Sequence, residues 1–432
     1  MDHWAIRALS TVAALGLGTL AAALLASIPV LGWLALTVLV KRQSVPLIYN
    51  LRSLGKRRVT TAATLGGLAL VVFVLTAVLM MGFGIQQTMV SSGEPLNVKL
   101  LLRNSPAEVV SFIKPEQVRA LWALPEVAQT PAGEPMVSPE LVTLAWVQRK
   151  GSTDPDAGAN ITVRGVPLLA FDLHPMKHLE GRRFRPGLNE LVIGKALVGR
   201  FEGAELGGTM RFGSSEWKVV GIADRGGNAQ ESEAWGDFRY LSSVLRRPCS
   251  SVTATLKEQS SFMNFARRVA ADPTLGPLEV EHESDYWGAL SKRHVHFVTI
   301  VGVFVAVIFS FAAILGAMNT LHAQVTARMS ELGTLRAIGF RPRAILTSLV
   351  FEAVLMSFAS GVVGVAAASL LERLKFQSTL VETLSEITYQ FLLSPRIALL
   401  GIGFACAMGY AGSLLPALKA ARTPLVNVIR GE

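Results

Sequence analysis

The sequence predicts a membrane protein: a bundle of five transmembrane α-helices carrying a large α+β domain on the outer side of the membrane. Three observations predict it. Five long apolar runs punctuate the 432 residues. Hydrophobic residues make up 51% of the chain and charged residues only 17%, with a mean hydropathy of +0.43. That balance excludes a disordered chain and argues against an ordinary soluble enzyme. Between residues 91 and 296 the runs give way to a stretch with 24 basic and 24 acidic residues, long enough to bury a core of its own.

The first unit, 1–58, holds the first run, 11–40, which carries no charge. Thirty helical residues measure about 45 Å, more than the roughly 30 Å of hydrocarbon to be crossed, and Pro29 sits mid-run. One kinked or tilted span is expected. A cleaved signal peptide built on Arg7, the apolar stretch and Ala26 is the alternative; a hairpin of two half-spans is disfavoured because neither half is long enough. A basic segment follows, with Lys41, Arg42, Arg52, Lys56, Arg57 and Arg58 and no acid.

The second run, within 59–90, begins the core of the bundle. The neutral block 91–296 comes next and reads as mixed α and β. Strands are expected at 97–102, 141–148, 161–166, 251–256 and 278–281, and helical spacing marks 115–124 and 260–271. A hairpin is expected from 209–212 and 217–222 about Gly213-Ser214-Ser215. Gly151 to Asn160 and Gly226 to Gln230 read as exposed loops.

Three further runs complete the bundle: 297–321, 344–371 (interrupted only by Glu352) and 394–418. Backbone groups in lipid must be satisfied within the segment, so each is read as a helix. The connector 322–343 holds Arg328, Arg336, Arg341 and Arg343 against Glu331, and the tail 419–432 holds Lys419, Arg422 and Arg430. The loop 372–393 is acidic, with Glu372, Glu382 and Glu386 against Arg373 and Lys375. Positive loops stay in the cytoplasm. The expected topology therefore has the N-terminus and the block 91–296 outside and the C-terminus inside. The net charge of +10 lies wholly outside the neutral block, so it is an orientation signal and not a nucleic-acid footprint.

The connector is the most informative segment. Leu332, Leu335 and Ile338 fall at helical spacing opposite Glu331 and the arginines, and Gly339 and Pro342 end the helix. An amphipathic helix on the cytoplasmic side can rest on anionic head groups or dock a cytoplasmic partner. Glu352 is costly in a span; it serves either helix packing through a hydrogen bond or coupling to the docking helix. Ser360 and Gly364 allow close helix approach, within the chain or across a dimer.

Other chemistry is poorly supported. The sequence has no Gly-x-x-x-x-Gly-Lys-Ser/Thr loop, no His-Glu-x-x-His and no Gly-x-Ser-x-Gly. Cys249 and Cys406 lie in segments of opposite character, so no disulfide is expected. The pairs His174/His178 and His294/His296 are expected to be solvated or interfacial and not metal ligands.

The connector, as Arg328, Glu331, Gly333, Arg336, Ala337 and Gly339, resembles the signature of the FtsX/MacB/LolC-LolE permeases, the mechanotransmitting class of ABC transporters. Glu352, Asn50-Leu51-Arg52 and Pro416 through Arg430 extend the resemblance. So do Val163-Arg-Gly-Val, Leu179-Glu-Gly-Arg-Arg-Phe, Glu190-Leu-Val-Ile-Gly and Val219-Val-Gly-Ile-Ala in the outer block, which resembles the MacB periplasmic core domain.

The resemblance implies a four-span core, to which the run 11–40 adds an extra span, and a location in the bacterial inner membrane. It implies a permease acting as a homo- or heterodimer on two cytoplasmic ABC ATPase subunits. ATP and magnesium would be bound by that partner, this chain carrying no cofactor, metal or catalytic residue. Arg328, Glu331, Gly333, Arg336, Gly339 and Arg341 would form the ATPase-coupling helix, and Glu352 would tie it to its span. The outer domain would work on lipoproteins, lipids or effluxed substrates, or on cell-wall hydrolases, with an adaptor or lipoprotein as a further partner. A membrane-anchored sensor without energy coupling is the alternative outside this class.

Overall fold

The computed structural model describes residues 58–422 apart from 155, 381 and 382. The expected first span 11–40, most of the basic segment behind it and the tail beyond Arg422 lie outside the described residues. The elements run as follows: α1 (Arg58–Val90), β1 (Asn97–Leu102), α2 (Pro115–Trp122), β2 (Val137–Gln148), β3 (Gly158–Val166), α3 (Ala170–Leu173), β4 (His178–Gly181), β5 (Glu190–Gly194), β6 (Thr209–Phe212), β7 (Ser215–Asp224), β8 (Glu233–Asp237) and α4 (Phe238–Leu245). Then come β9 (Ser251–Thr255), α5 (Phe262–Ala271), β10 (Leu278–His282), α6 (Glu283–Ala327), α7 (Met329–Ala337), α8 (Pro342–Ser369), β11 (Lys375–Thr379), β12 (Glu386–Gln390) and α9 (Pro395–Arg422).

The chain divides into two compact units. One holds the described residues up to Phe83, His296–Leu374 and the chain from Phe391 onward. Among the described residues, α1, α6, α8 and α9 are long and apolar enough to cross a membrane. They pack through small residues. A Cβ on Gly364 would lie 2.6 Å from the Ala69 carbonyl oxygen of α1, and one on Gly361 would lie 2.9 Å from the Ala405 Cβ of α9. One on Gly409 would lie 1.9 Å from Ser357 Oγ. Ser360, fully buried, donates its hydroxyl to the Met356 carbonyl. The Ser360/Gly364 pair is thus used for packing within the chain.

The other unit comprises Gly84–Val295 and Lys375–Gln390. Its sheet runs β10-β1-β9-β2-β3-β8-β5-β7-β4, with β6 paired to β7. Three apolar clusters pack on it: one holds Val98, Leu100, Leu121, Val252 and Phe265, a second Ile161, Val163, Leu191, Met210 and Trp217, and a third Val166, Phe171, Val192 and Trp235. Local chemistry sets the helices between them. Pro115 opens α2, whose Gln117 side-chain oxygen accepts the Lys114 N–H, and Asp237 caps α4 by accepting the Tyr240 N–H.

Several expectations are corrected. The helix that contains the run 297–321 starts at Glu283, directly after β10. Its 45 residues measure about 68 Å; the two units divide within this helix, between Val295 and His296, beside the expected boundary at 296. The loop 372–393 contains a β-hairpin, β11–β12, with Phe376 opposite Tyr389, and it belongs to the outer unit. The 209–222 hairpin turns on two residues, Phe212 pairing with Ser215. Strand β8 was missed and β5 appeared only as a motif. Both are buried at every position, so they lack the alternation that reveals a half-exposed strand. His174 and His294 are buried, whereas His178 and His296 are exposed.

Candidate functional site

The connector between α6 and α8 builds a compact bend. Helix α6 ends at Ala327, and Arg328 leaves helical geometry at φ −115°, ψ 12°. Helix α7 then runs only nine residues. It closes in a paired cap: the Gly339 N–H donates to the Arg336 carbonyl and the Phe340 N–H to the Leu335 carbonyl. The cap needs a left-handed residue just past the helix, and Gly339 supplies it at φ +108°. Arg341 is the extended residue before α8, and Pro342 sits at its first position, where a missing N–H costs nothing.

The structure brings three of the expected site residues together. Arg328, 9% exposed, places Nη1 3.4 Å from Glu352 Oε2 and Nε 3.5 Å from Glu331 Oε2. Glu352 is buried on α8. These are long contacts between charges, and they fasten the α6–α7 bend to α8. Leu332 is buried beside Val325, Ile345, Leu349 and Ala417, with Leu335 packed on the same cluster. Gly333 is also buried and Arg336 half-buried, while Glu331, Gly339 and Arg341 are exposed. One expectation is corrected: Ile338 does not share the buried face. It keeps helical geometry at φ −74°, ψ −8°, with its N–H on the Thr334 carbonyl, and is 72% exposed at the end of the helix. The exposed surface of the connector thus combines an apolar knob with Glu331, Thr334 and Arg341.

A second polar constellation lies in the outer unit. Arg164 on β3 is held by three carboxylates: Glu108 at 2.9 and 3.0 Å, Glu233 at 2.8 Å through two nitrogens, and Glu140 at 2.6 Å. Lys99 on β1 lies 2.8 Å from Glu108 and 3.0 Å from Glu140. All five side chains are buried. Burial alone would raise the Glu108 carboxyl, but Arg164 and Lys99 outweigh it and hold it down to about 2. Glu140 is also held well below the usual carboxylate range: burial opposes this, and Lys99 and Arg164 prevail. His174 stands nearby, its Nε2 3.8 Å from Glu140 and its Nδ1 3.7 Å from Glu283. Sequence reasoning missed this cluster. Its members are spread from residue 99 to 233 with no helical or strand period, and the only signal was Arg164 within Val163-Arg-Gly-Val.

Among the described residues no group of three or more His, Cys, Asp or Glu is placed to hold a metal ion. An open groove of about 920 Å³ lies on the outer unit beside α2 and α4, lined by Trp122, Pro135, Pro139, Pro167 and Phe238 among others.

Comparison with known proteins fits this geometry. The model for the MacB-like periplasmic core domain matches residues 61–271, and the model for the FtsX-like permease C-terminal domain matches residues 303–425. The macrolide export ATP-binding/permease protein MacB 1/2 of Paracoccus denitrificans is 26% identical over 321 residues, covering 68% of this chain and 45% of that protein. The chain therefore spans about half the length of this relative. The uncharacterized ABC transporter permease YvrN of Bacillus subtilis is 26% identical over 298 residues, covering 62% of this chain and 70% of YvrN. The crystal structure of the periplasmic region of MacB from Actinobacillus actinomycetemcomitans aligns at 13% identity with a TM-score of 0.33, over 46% of this chain and 94% of that one. The first match takes in α1 and most of the outer block, the second begins within α6 and runs through the connector and last spans, and on them the chain belongs to the FtsX-like, MacB-type permeases of ABC transporters.

Proposed function

We propose that the chain is the transmembrane subunit of an ABC transporter of the bacterial inner membrane. It couples ATP binding and hydrolysis in a separate cytoplasmic ATPase to conformational work by the outer domain. Two permease chains, identical or paralogous, would act on two ATPase subunits. The observation that carries the reading is the connector: a short capped helix with an outward apolar residue, ion-paired through Arg328 to Glu352 on the next span. A partner pressing on α7 moves α8 through a buried charge contact and a shared apolar cluster. A sensor that only anchored a binding domain has no need of either. The work done outside would be extraction of lipoproteins or lipids, or efflux of substrates from that side.

The test is a mild-detergent pull-down of the tagged chain from its host, with partners identified by mass and assayed for ATPase activity. A co-purifying ATPase is expected. Ile338→Glu changes an exposed side chain, so insertion and yield should be unaffected while ATPase recovery falls. Recovery of the ATPase by the variant at the unaltered level removes the docking role. Repeated recovery of the chain alone removes the transporter reading.

A further inference from the structure

The outer connection between α8 and α9 is bound to the core of the outer unit, and its charged contacts converge on one residue. Glu386, which opens β12, has a side chain only 6% exposed. Its Oε2 accepts a hydrogen bond from Arg149 Nη2 at 2.9 Å, and its Oε1 accepts one from Arg200 Nη2. Arg200 Nη1 also donates to Thr388 Oγ1 at 2.9 Å. One turn of strand later the Thr388 N–H donates to Ser232 Oγ at 3.0 Å. Both guanidinium groups lie against the Phe201 ring, at 5.9 and 5.2 Å from its centre.

A hairpin of two five-residue strands is at best marginal alone in water. These contacts, with the buried Leu380 and Ile387, hold it on the core. A single exposed Arg–Glu pair contributes little. Here one buried carboxylate is shared by two arginines, so its removal leaves two cations facing each other. The hairpin is also joined through the chain to the two last spans, following α8 and preceding α9. The opposite end of α8 carries the contact between Glu352 and Arg328.

We infer that Glu386 is a latch through which the third and fourth core spans act on the outer domain. A shift of α8 would reach the hairpin through the short 3-10 turn Leu370–Arg373 that follows the helix. The latch would pass it to Arg149, just past β2, and to Arg200 behind β5. This route adds to the chain connections through α1 and α6, the second of which the hairpin also meets directly, Ser378 Oγ lying 3.1 Å from His294 Nε2. The inference rests on the reading that the connector receives work from an ATPase.

The test uses the full chain with its co-purified ATPase in lipid nanodiscs. Hydrogen exchange over residues 137–166 is compared without nucleotide and with ATP plus vanadate. The unaltered chain should show an ATP-dependent change there. Glu386→Lys should abolish it and Glu386→Gln should reduce it, with ATPase recovery and exchange in β5 and β7 unchanged. Arg149→Met combined with Arg200→Met should act like Glu386→Lys. A full ATP response in Glu386→Lys and in the double arginine variant overturns the latch and leaves the coupling reading standing. Loss of ATPase recovery in Glu386→Lys also overturns it, since the residue would then act on assembly. Absence of any response in the unaltered chain overturns both.

Discussion

Replacing Arg164 by Met removes five hydrogen bonds from three buried carboxylates. Lys99 must then serve both Glu108 and Glu140, and Glu233 keeps the Trp235 indole N–H at 2.8 Å. Breaking a buried pair by removing one partner costs about 3–5 kcal/mol, a large share of the roughly 5–15 kcal/mol that stabilises a domain. Cys249 provides the assay. Its thiol is buried, burial pushes its pKa up to about 12, and it donates to the Ser251 carbonyl oxygen. It is therefore protected while the outer unit is closed. With Cys406 replaced by Ala, labelling of Cys249 by a maleimide in the full-length chain reports opening. Arg164→Met should speed labelling by roughly two to nearly four orders of magnitude, at about 1.4 kcal/mol per decade. Lys99→Met should have a smaller effect, because Arg164 still faces Glu108 and Glu140. Acidification adds a check of sign. Carboxylates orphaned by Arg164→Met bind protons more readily folded than unfolded, so the variant should gain stability as the pH falls from 7 towards 5. A labelling increase below about fivefold, or a variant that loses stability over that range, refutes the account of the cluster.

Other outcomes follow from the same contacts. In the unaltered chain Glu108 lies near 2 when folded and near 4.3–4.5 when unfolded, so its contribution is complete above pH 4.5 and lost as the pH falls towards 2; the Cys249 protection should decline over that window. Glu352→Ala removes the buried carboxylate that faces Arg328 and should cost about 1–3 kcal/mol, read as a lower melting temperature of the purified chain together with reduced ATPase recovery. Gly409→Ala places a methyl on Ser357 Oγ and should cost about 1–3 kcal/mol; Ser357→Gly in the same chain should restore the melting temperature, and failure to do so would locate the strain elsewhere.

How much of this was legible beforehand follows from the kind of signal each feature leaves. A span is a local property, because lipid demands a run of apolar residues whatever surrounds it. The runs that became α1, α6, α8 and α9 were therefore visible directly. Short apolar strand runs and capped helices are local signals too: β1 was expected with its observed bounds, and the turn at Gly339 was expected to end α7. The connector signature, local in the same sense, located Arg328, Glu331 and Glu352. The fold alone decided what those charges face.

Burial of charge leaves no period in the chain. Lys99, Glu108, Glu140, Arg164 and Glu233 come from different elements and meet only because β1, β2, β3 and β8 lie side by side or one strand apart. Glu386 gave an orientation signal as one acid in an outer loop, and nothing in its neighbourhood named Arg149 or Arg200. Ile338 matched the apolar stripe by spacing, but spacing names a face and not its neighbours, and the cluster that takes Leu332 and Leu335 does not extend to Ile338. The sequence by itself determined the spans, the outer block and the connector, because each is set by interactions between near neighbours or with the solvent. The tertiary structure decided which charges are paired, which apolar residue stays outside and which loop is bound to the core, because those depend on residues that only folding brings together.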